Sequence, residues 1–363
     1  MSIIKAGIIG QGRSGRNIHG NALSKLTDTY RIAAVCDGLE ERRQRAAQEY
    51  GCKAYATYQE MTANEKLDLV VNASPSELHF PITLELLRQG INVLCEKPLA
   101  KTPGEVDQLI AAAKESGAVL AVFQQSRYMP AFVKLREVID SGVLGRVIQV
   151  DFTSSNFSRR WDWQTIQANN GGNLLNTGPH PVDQALQLYG ADEMPDITCI
   201  MDRANTFGDA EDYVKIVMRG PGRPTIDLEI SSCSLYPRPV FTVHAANGGL
   251  TGDLRKLQWK YFKPEEAPQQ QLIRTPLIKQ NGEPAYCSEK LIWHEDSWQY
   301  ESVEGMAMTD QNTASLYAML YASMTEGTPL AITPQQVRLQ MAVMEECRRQ
   351  NPHIYPSNVY QQA

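Results

Sequence analysis

Through the first third of the chain, short apolar runs alternate with amphipathic stretches. The runs are Ile3–Ile9, Ile32–Cys36, Leu67–Asn72, Asn92–Glu96 and Val119–Phe123. Helix-patterned segments lie between them, at Ser14–Thr27, Glu40–Tyr50, Ser76–Gln89 and Pro103–Ser116. Unbroken Val/Ile/Leu runs predict strands covered on both faces, and their alternation with helices predicts an α/β, doubly wound parallel sheet. Beyond Phe123 the pattern changes. A helix at Pro130–Ser141, a strand at Arg146–Thr153 and a helix from Leu174 to Tyr189 lead into a series of strands. These are Ile197–Asp202, Tyr213–Met218, Thr225–Cys233, Val240–His244 and Leu254–Phe262. Strands grouped in this way predict an α+β unit with an open, mainly antiparallel sheet. Pro264–Pro284 reads as a polar surface excursion, and helices at Asp310–Thr325 and Thr333–Gln350 close the chain. Two domains are expected, 1–123 and 124–363, as the 363-residue length also suggests.

Composition narrows the class. Apolar content of 42% and charged content of 21% belong to a globular protein. A net charge of −6 argues against nucleic-acid partners, and no apolar run is long enough to span a bilayer. The N-terminus enters a strand at once, without the pattern of a secretory leader. Seven cysteines without paired spacing fit reduced thiols, with Cys36, Cys95 and Cys199 in apolar strand contexts. The expectation is a cytoplasmic enzyme or binding protein.

The chemistry concentrates at the ends of the predicted strands. Gly10-Gln-Gly12-Arg13-Ser14-Gly15 follows the first strand and opens a helix. The first glycine permits the tight turn, the second lets the backbone approach a pyrophosphate, and the third allows helix and strand to pack closely. Asp37 lies 22 positions beyond Gly15, where a carboxylate meets a ribose diol, which favours NAD. Arg42 and Arg43 begin the next helix and could serve a 2′-phosphate or adenine, so NADP stays open. Asn72-Ala-Ser74-Pro75 ends the third run and His79 follows one turn later, at the sheet edge that lines a cofactor crevice. Glu96-Lys97-Pro98 closes the fourth run. A lysine there can hold a substrate oxygen and stabilise developing negative charge, with Glu96 orienting it. Farther along, Gly171 through Asp183 places Asn176 and His180 at i, i+4 on a helix, with Asp183 a turn beyond. A histidine between polar neighbours is a candidate general base. Arg127 and Trp163 are candidate substrate contacts, with Asn176 and Asp183. No residue spacing matches a standard metal site, so none is expected.

In these motifs, in their order and spacing, the chain resembles the Gfo/Idh/MocA oxidoreductases, the glucose–fructose oxidoreductase and inositol 2-dehydrogenase family. The matching residues are Gly10 to Gly15, Asp37, Asn72 to Pro75 with His79, Glu96-Lys97-Pro98, and Gly171 through Asp183. The resemblance implies an N-terminal Rossmann domain and a C-terminal α/β domain whose open sheet serves oligomerisation, as dimer or tetramer. It also implies an active site between them for a sugar, polyol or derivative. Lys97 matches the family's active-site lysine and His180 its usual catalytic histidine; Asn176 stands where aspartate is common, which concentrates proton transfer on His180. Two other classes share these features. One is a redox-neutral glycoside-processing or epimerising enzyme with tightly held NAD, the other a non-catalytic sugar or nucleotide sensor.

Overall fold

The computed structural model describes residues 2–190, 193–236 and 238–356. Six parallel strands form the first sheet: β1 (Ile4–Ile9), β2 (Tyr30–Cys36), β3 (Lys53–Tyr55), β4 (Leu69–Asn72), β5 (Val93–Cys95) and β6 (Leu120–Val122). Their order is β3-β2-β1-β4-β5-β6, so the strand order reverses between β1 and β4. In a doubly wound sheet that reversal opens a crevice at the carboxyl edge. Strand β4 and strand β5 are buried at every position, as unbroken Val/Leu runs require. Strand β3 and the helix Tyr58–Asn64 were not legible in the sequence, since Lys53–Tyr55 is a three-residue, half-exposed edge.

The second sheet has eight strands. They are β7 (Val147–Ser155), β8 (Asp196–Asp202), β9 (Tyr213–Arg219), β10 (Thr225–Ser231), β11 (Phe241–Ala245), β12 (Gly248–Gly252), β13 (Lys256–Phe262) and β14 (Trp293–Gln299). The order is β14-β13-β12-β11-β7-β10-β9-β8, antiparallel throughout except that β10 runs parallel to β7. The glycines of β12 and the polar run of β14 had hidden both strands. Val214, Ile216 and Met218 of β9 and Ile226, Leu228 and Ile230 of β10 alternate onto one buried face. The opposite face carries cross-strand ion pairs, Lys215 with Asp227 and Lys260 with Glu295, and Arg238 from the segment before β11 pairs with Glu229 at 2.7 Å.

Helix α1 (Pro179–Tyr189) lies against β10 on the buried face. Two long helices then return to the first sheet. Helix α2 (Met308–Glu326) sets Tyr317 against Tyr30, whose hydroxyl donates to the Tyr317 carbonyl at 2.8 Å. Helix α3 (Pro334–Arg349) packs on both Pro103–Ser116 and α1, tying the two sheets together. No helix among the described residues is long and apolar enough to cross a membrane.

Leu228 is fully buried beneath α1. Leu228→Ala should therefore cost about 2–5 kcal/mol of stability. In urea unfolding the midpoint should fall while the slope stays constant.

Candidate active site

Two of the three glycines that shape the crevice accept no substitute. Gly10 has φ +84°, and a Cβ there would stand 2.4 Å from the Ala73 carbonyl oxygen. A Cβ on Gly15 would fall 1.8 Å from the Gly10 oxygen. At Gly12 the nearest atom is Arg42 Nη1 at 3.6 Å, so this backbone faces open space. The loop thus folds tightly on itself and leaves one bare edge, the cradle a dinucleotide diphosphate requires. Arg13 and Ser14 begin the helical segment Arg13–Gly20, which is wound wider than an α-helix, in place of the regular helix the pattern predicts.

Asp37 ends β2 beside this edge. Its carboxylate accepts from Gln11 N at 2.7 Å and Leu39 N at 2.9 Å, and Arg42 Nη1 approaches to 3.6 Å. Arg43 donates to the Asp37 and Gly38 carbonyls instead of facing the crevice. Ser74 and Pro75 form the turn after β4, where the Ser74 hydroxyl donates to Asn72 Oδ1 at 2.7 Å. His79, expected to line the cofactor crevice, is buried, and its ring nitrogens face the Pro98 and Ser74 carbonyls at 2.7 and 3.0 Å. Burial lowers its pKa while the two carbonyls oppose that effect, and with both ring nitrogens enclosed the residue is not open to a ligand.

Lys97 follows β5 and is joined to Pro98 by a cis peptide bond. Its ammonium reaches across to the second domain and donates to the Asn176 carbonyl at 2.7 Å. Burial lowers its pKa, Glu96 opposes that effect, and Arg13 adds to it. Burial alone would raise the Glu96 carboxyl. The hydrogen bond from His19 outweighs burial, with the charges around it, and holds the carboxyl down at about 2. His19 Nε2 lies 3.3 Å from Glu96, and the Tyr317 hydroxyl lies 2.8 Å from Nδ1. A carboxylate only accepts, so Nε2 carries a proton toward Glu96.

Asn176 and His180 sit four residues apart, as the sequence predicts, but not on one regular helix. Asn173–Thr177 is a wide turn closed by Gly178 N to the Asn173 carbonyl at 2.7 Å, and Pro179 starts α1 afresh. Proline has no N–H to continue the ladder, and it suits the first position of a helix. His180 Nδ1 lies 2.9 Å from Gln124 Oε1 and 3.3 Å from the Ser126 hydroxyl. Gln124 Nε2 donates to Gln340 Oε1 at 2.9 Å, so its Oε1 must face the histidine. Nδ1 therefore bears the proton and Nε2 keeps the lone pair, with no hydrogen-bond partner among the described residues. Burial, with the charge of Lys97, pushes the His180 pKa down to about 3.

Arg127 and Asp183, both expected on substrate, are taken up by each other. Arg127 Nη2 and Nε donate to Asp183 at 2.6 and 2.7 Å, and Nη1 reaches Gln336 and the Ala331 carbonyl. Asp183 is buried, which raises its pKa against the pull of Arg127. This pair braces α1 against the turn before α3 and offers a ligand little. Trp163 is 47% exposed on the rim, one residue from Gln164, whose Nε2 donates to Asn176 Oδ1 at 3.0 Å. His244 stands on the open sheet beside Asp151, away from His180.

Sequence reasoning missed His19, Gln124, Gln164, Gln340 and Glu211. They come from distant segments, and none stands in a motif that marks it. Glu211 accepts from Leu174 N at 2.6 Å and from the Tyr355 hydroxyl, holding the start of the Asn176 turn. A Cβ on Gly172 (φ +96°) would meet this carboxyl at 2.5 Å.

With this geometry, the comparisons with known proteins define the class. Residues 4–124 match the oxidoreductase family with NAD-binding Rossmann fold, and residues 132–251 match the GFO/IDH/MocA C-terminal domain. The chain belongs to the Gfo/Idh/MocA oxidoreductase family. It is 28% identical over 217 residues to scyllo-inositol 2-dehydrogenase (NADP(+)) of Bacillus subtilis, covering 59% of either chain. It is 31% identical over 196 residues to D-glucoside 3-dehydrogenase of Escherichia coli, covering 52% of this chain and 55% of that one. The matched stretches thus span under two thirds of these relatives. The structure of GenD2 from gentamicin A biosynthesis, in complex with NAD, superposes with a TM-score of 0.74 at 21% identity. That superposition covers 96% of this chain and 94% of that one, a likeness of fold.

Burial raises the Glu211 pKa from 4.5 to about 7. An unfolded carboxyl ionises first, so this group should cost stability as pH rises from about 4.5 to about 7. Glu211→Gln should flatten the pH dependence of the urea midpoint across that window, and an unchanged profile would contradict the assignment.

Proposed function

We propose that the chain is a nicotinamide-dependent dehydrogenase acting on a hydroxyl-bearing carbon of a sugar, polyol, sugar acid or glycoside, with NAD preferred over NADP. One observation carries this reading. An ammonium on the first domain, Lys97, hydrogen-bonds the carbonyl of Asn176, four residues before His180, whose Nε2 lone pair is open. Bound nicotinamide dinucleotide supplies the hydride acceptor for oxidation and the hydride donor for reduction.

The chain's residues do the rest. The bare backbone at Gly12, with the N–H groups of Arg13, Ser14 and Gly15, receives the diphosphate. Asp37 accepts from the ribose hydroxyls and repels a 2′-phosphate. Arg42 lies over the same edge, and Ser74 and Pro75 form its other wall. In oxidation, His180 Nε2 takes the proton of the reacting hydroxyl, and Lys97 stabilises the negative charge left on that oxygen. Glu96, held by His19, keeps the ammonium charged and in place. Gln124 keeps the His180 proton on Nδ1, so the base is poised on Nε2. Arg127 and Asp183 position α1. Trp163 on the rim offers a face to a pyranose ring. The open face of the second sheet is assigned to contacts with further copies, as dimer or tetramer. Seven unpaired cysteines agree with a reducing cytoplasmic setting.

Purified protein with NAD⁺ and a panel of sugars, inositols, sugar acids and glycosides should give the absorbance of reduced nicotinamide with one substrate group, and less with NADP⁺. Lys97→Ala and His180→Ala should each lower kcat by about 10²–10⁴ while cofactor binding persists. Turnover within a few-fold of wild type would sink the assignment. Because the His180 base form persists to about pH 3, the profile of kcat/KM should lack an acidic limb near 6.5. Its alkaline limb should fall below the ordinary lysine value of 10.5.

A further inference from the structure

Asn176 is held by a relay with only one possible sense. Arg160 Nη2 donates to Gln164 Oε1 and also to Asp162 at 2.5 Å. A guanidinium has donors and no acceptor, so Gln164 must turn its oxygen to Arg160 and its nitrogen to Asn176. Gln164 Nε2 accordingly donates to Asn176 Oδ1 at 3.0 Å. The amide oxygen of Asn176 faces Gln164, and its Nδ2 makes no hydrogen bond among the described residues. The backbone carbonyl of the same residue holds the Lys97 ammonium.

We propose that Arg160 and Gln164 fix the polarity of Asn176, so that position 176 gives the substrate an N–H donor and selects an acceptor oxygen, that of a carboxylate or carbonyl, beside the reacting carbon. A hydroxyl can also accept, but a carboxylate accepts a charge-assisted bond, so an acidic sugar is preferred to a plain polyol. This inference rests on the dehydrogenase reading for the place of the reacting carbon. Two further features agree with it. The remaining Lys97 N–H groups add donors and a positive charge beside the same residue. The carboxylates lining the Asn176 recess are held by donors of the protein itself, Glu211 by Leu174 N and the Tyr355 hydroxyl and Asp212 by the backbone N–H groups of residues 204–206.

Gln164→Glu tests the relay without touching Asn176. Both oxygens of a glutamate accept, so the Asn176 amide must turn, giving Nδ2 to residue 164 and presenting Oδ1 to the ligand. Gln164→Leu removes the hold and adds no charge. Calorimetric titration in the presence of NADH, with glucuronate, its uncharged methyl ester and glucose, reads binding independently of turnover. Wild-type protein should bind glucuronate about tenfold or more tighter than glucose, through charge-assisted hydrogen bonds. Gln164→Glu should weaken both glucuronate and the ester by about tenfold, since an acceptor then faces an acceptor. Glucose, whose hydroxyls can donate, should change little, and Gln164→Leu should fall between. Unchanged melting of the variants would exclude a folding defect. Three results would overturn the inference: no preference of wild-type protein for glucuronate, unchanged ratios in Gln164→Glu, or weakening of the acid alone, which marks simple charge repulsion. The expected shifts in binding without hydride transfer to any sugar tested would instead overturn the dehydrogenase reading and leave the polarity of Asn176 standing.

Discussion

A lysine ammonium withdrawn from water is the constraint around which this site is organised. Burial favours the neutral amine, so the charge persists only if the protein supplies compensation. Glu96, adjacent in sequence, provides it, and it is itself anchored by His19 Nε2 at 3.3 Å with the Tyr317 hydroxyl behind. Those three residues come from the helix after the glycine loop, the end of β5 and helix α2. The same assembly that packs behind the glycine loop therefore also compensates the Lys97 ammonium, and helix α2 contributes to it although it lies far away in sequence.

The second domain answers with a neutral imidazole, that of His180. Lys97 depresses the His180 pKa in addition to burial, so one group stays positive and the other keeps a free lone pair. Chained amides, Gln340 to Gln124 to His180 on one side and Arg160 to Gln164 to Asn176 on the other, decide which atom of each residue faces the cleft. Amides carry both a donor and an acceptor, so such chains transmit a fixed sense over two residues without any charge in the middle.

Much of this was legible in the chain. Unbroken apolar runs disclosed five of the six parallel strands, and the glycine spacing with Asp37 located the crevice. The Glu96-Lys97-Pro98 turn and the Asn176/His180 pair announced themselves because strand ends and misplaced prolines are unusual places for polar residues. What stayed hidden was partnership. Arg127 and Asp183 look like ligand contacts until the fold pairs them, and His79 looks exposed until two backbone carbonyls enclose it. The glutamines are silent in sequence, since an amide gains its role only from the neighbour it meets. Edge strands such as Lys53–Tyr55 and Trp293–Gln299 lack a buried face, and periodicity reads only burial.

The most direct test of the Lys97–His180 pairing is nitrogen NMR of the His180 imidazole, identified by its loss in His180→Ala, across about pH 5 to 8. The expected result is a neutral ring throughout, protonated on Nδ1 and bare on Nε2. An imidazolium in that range, or a proton on Nε2, would contradict the assignment of Nε2 as the base.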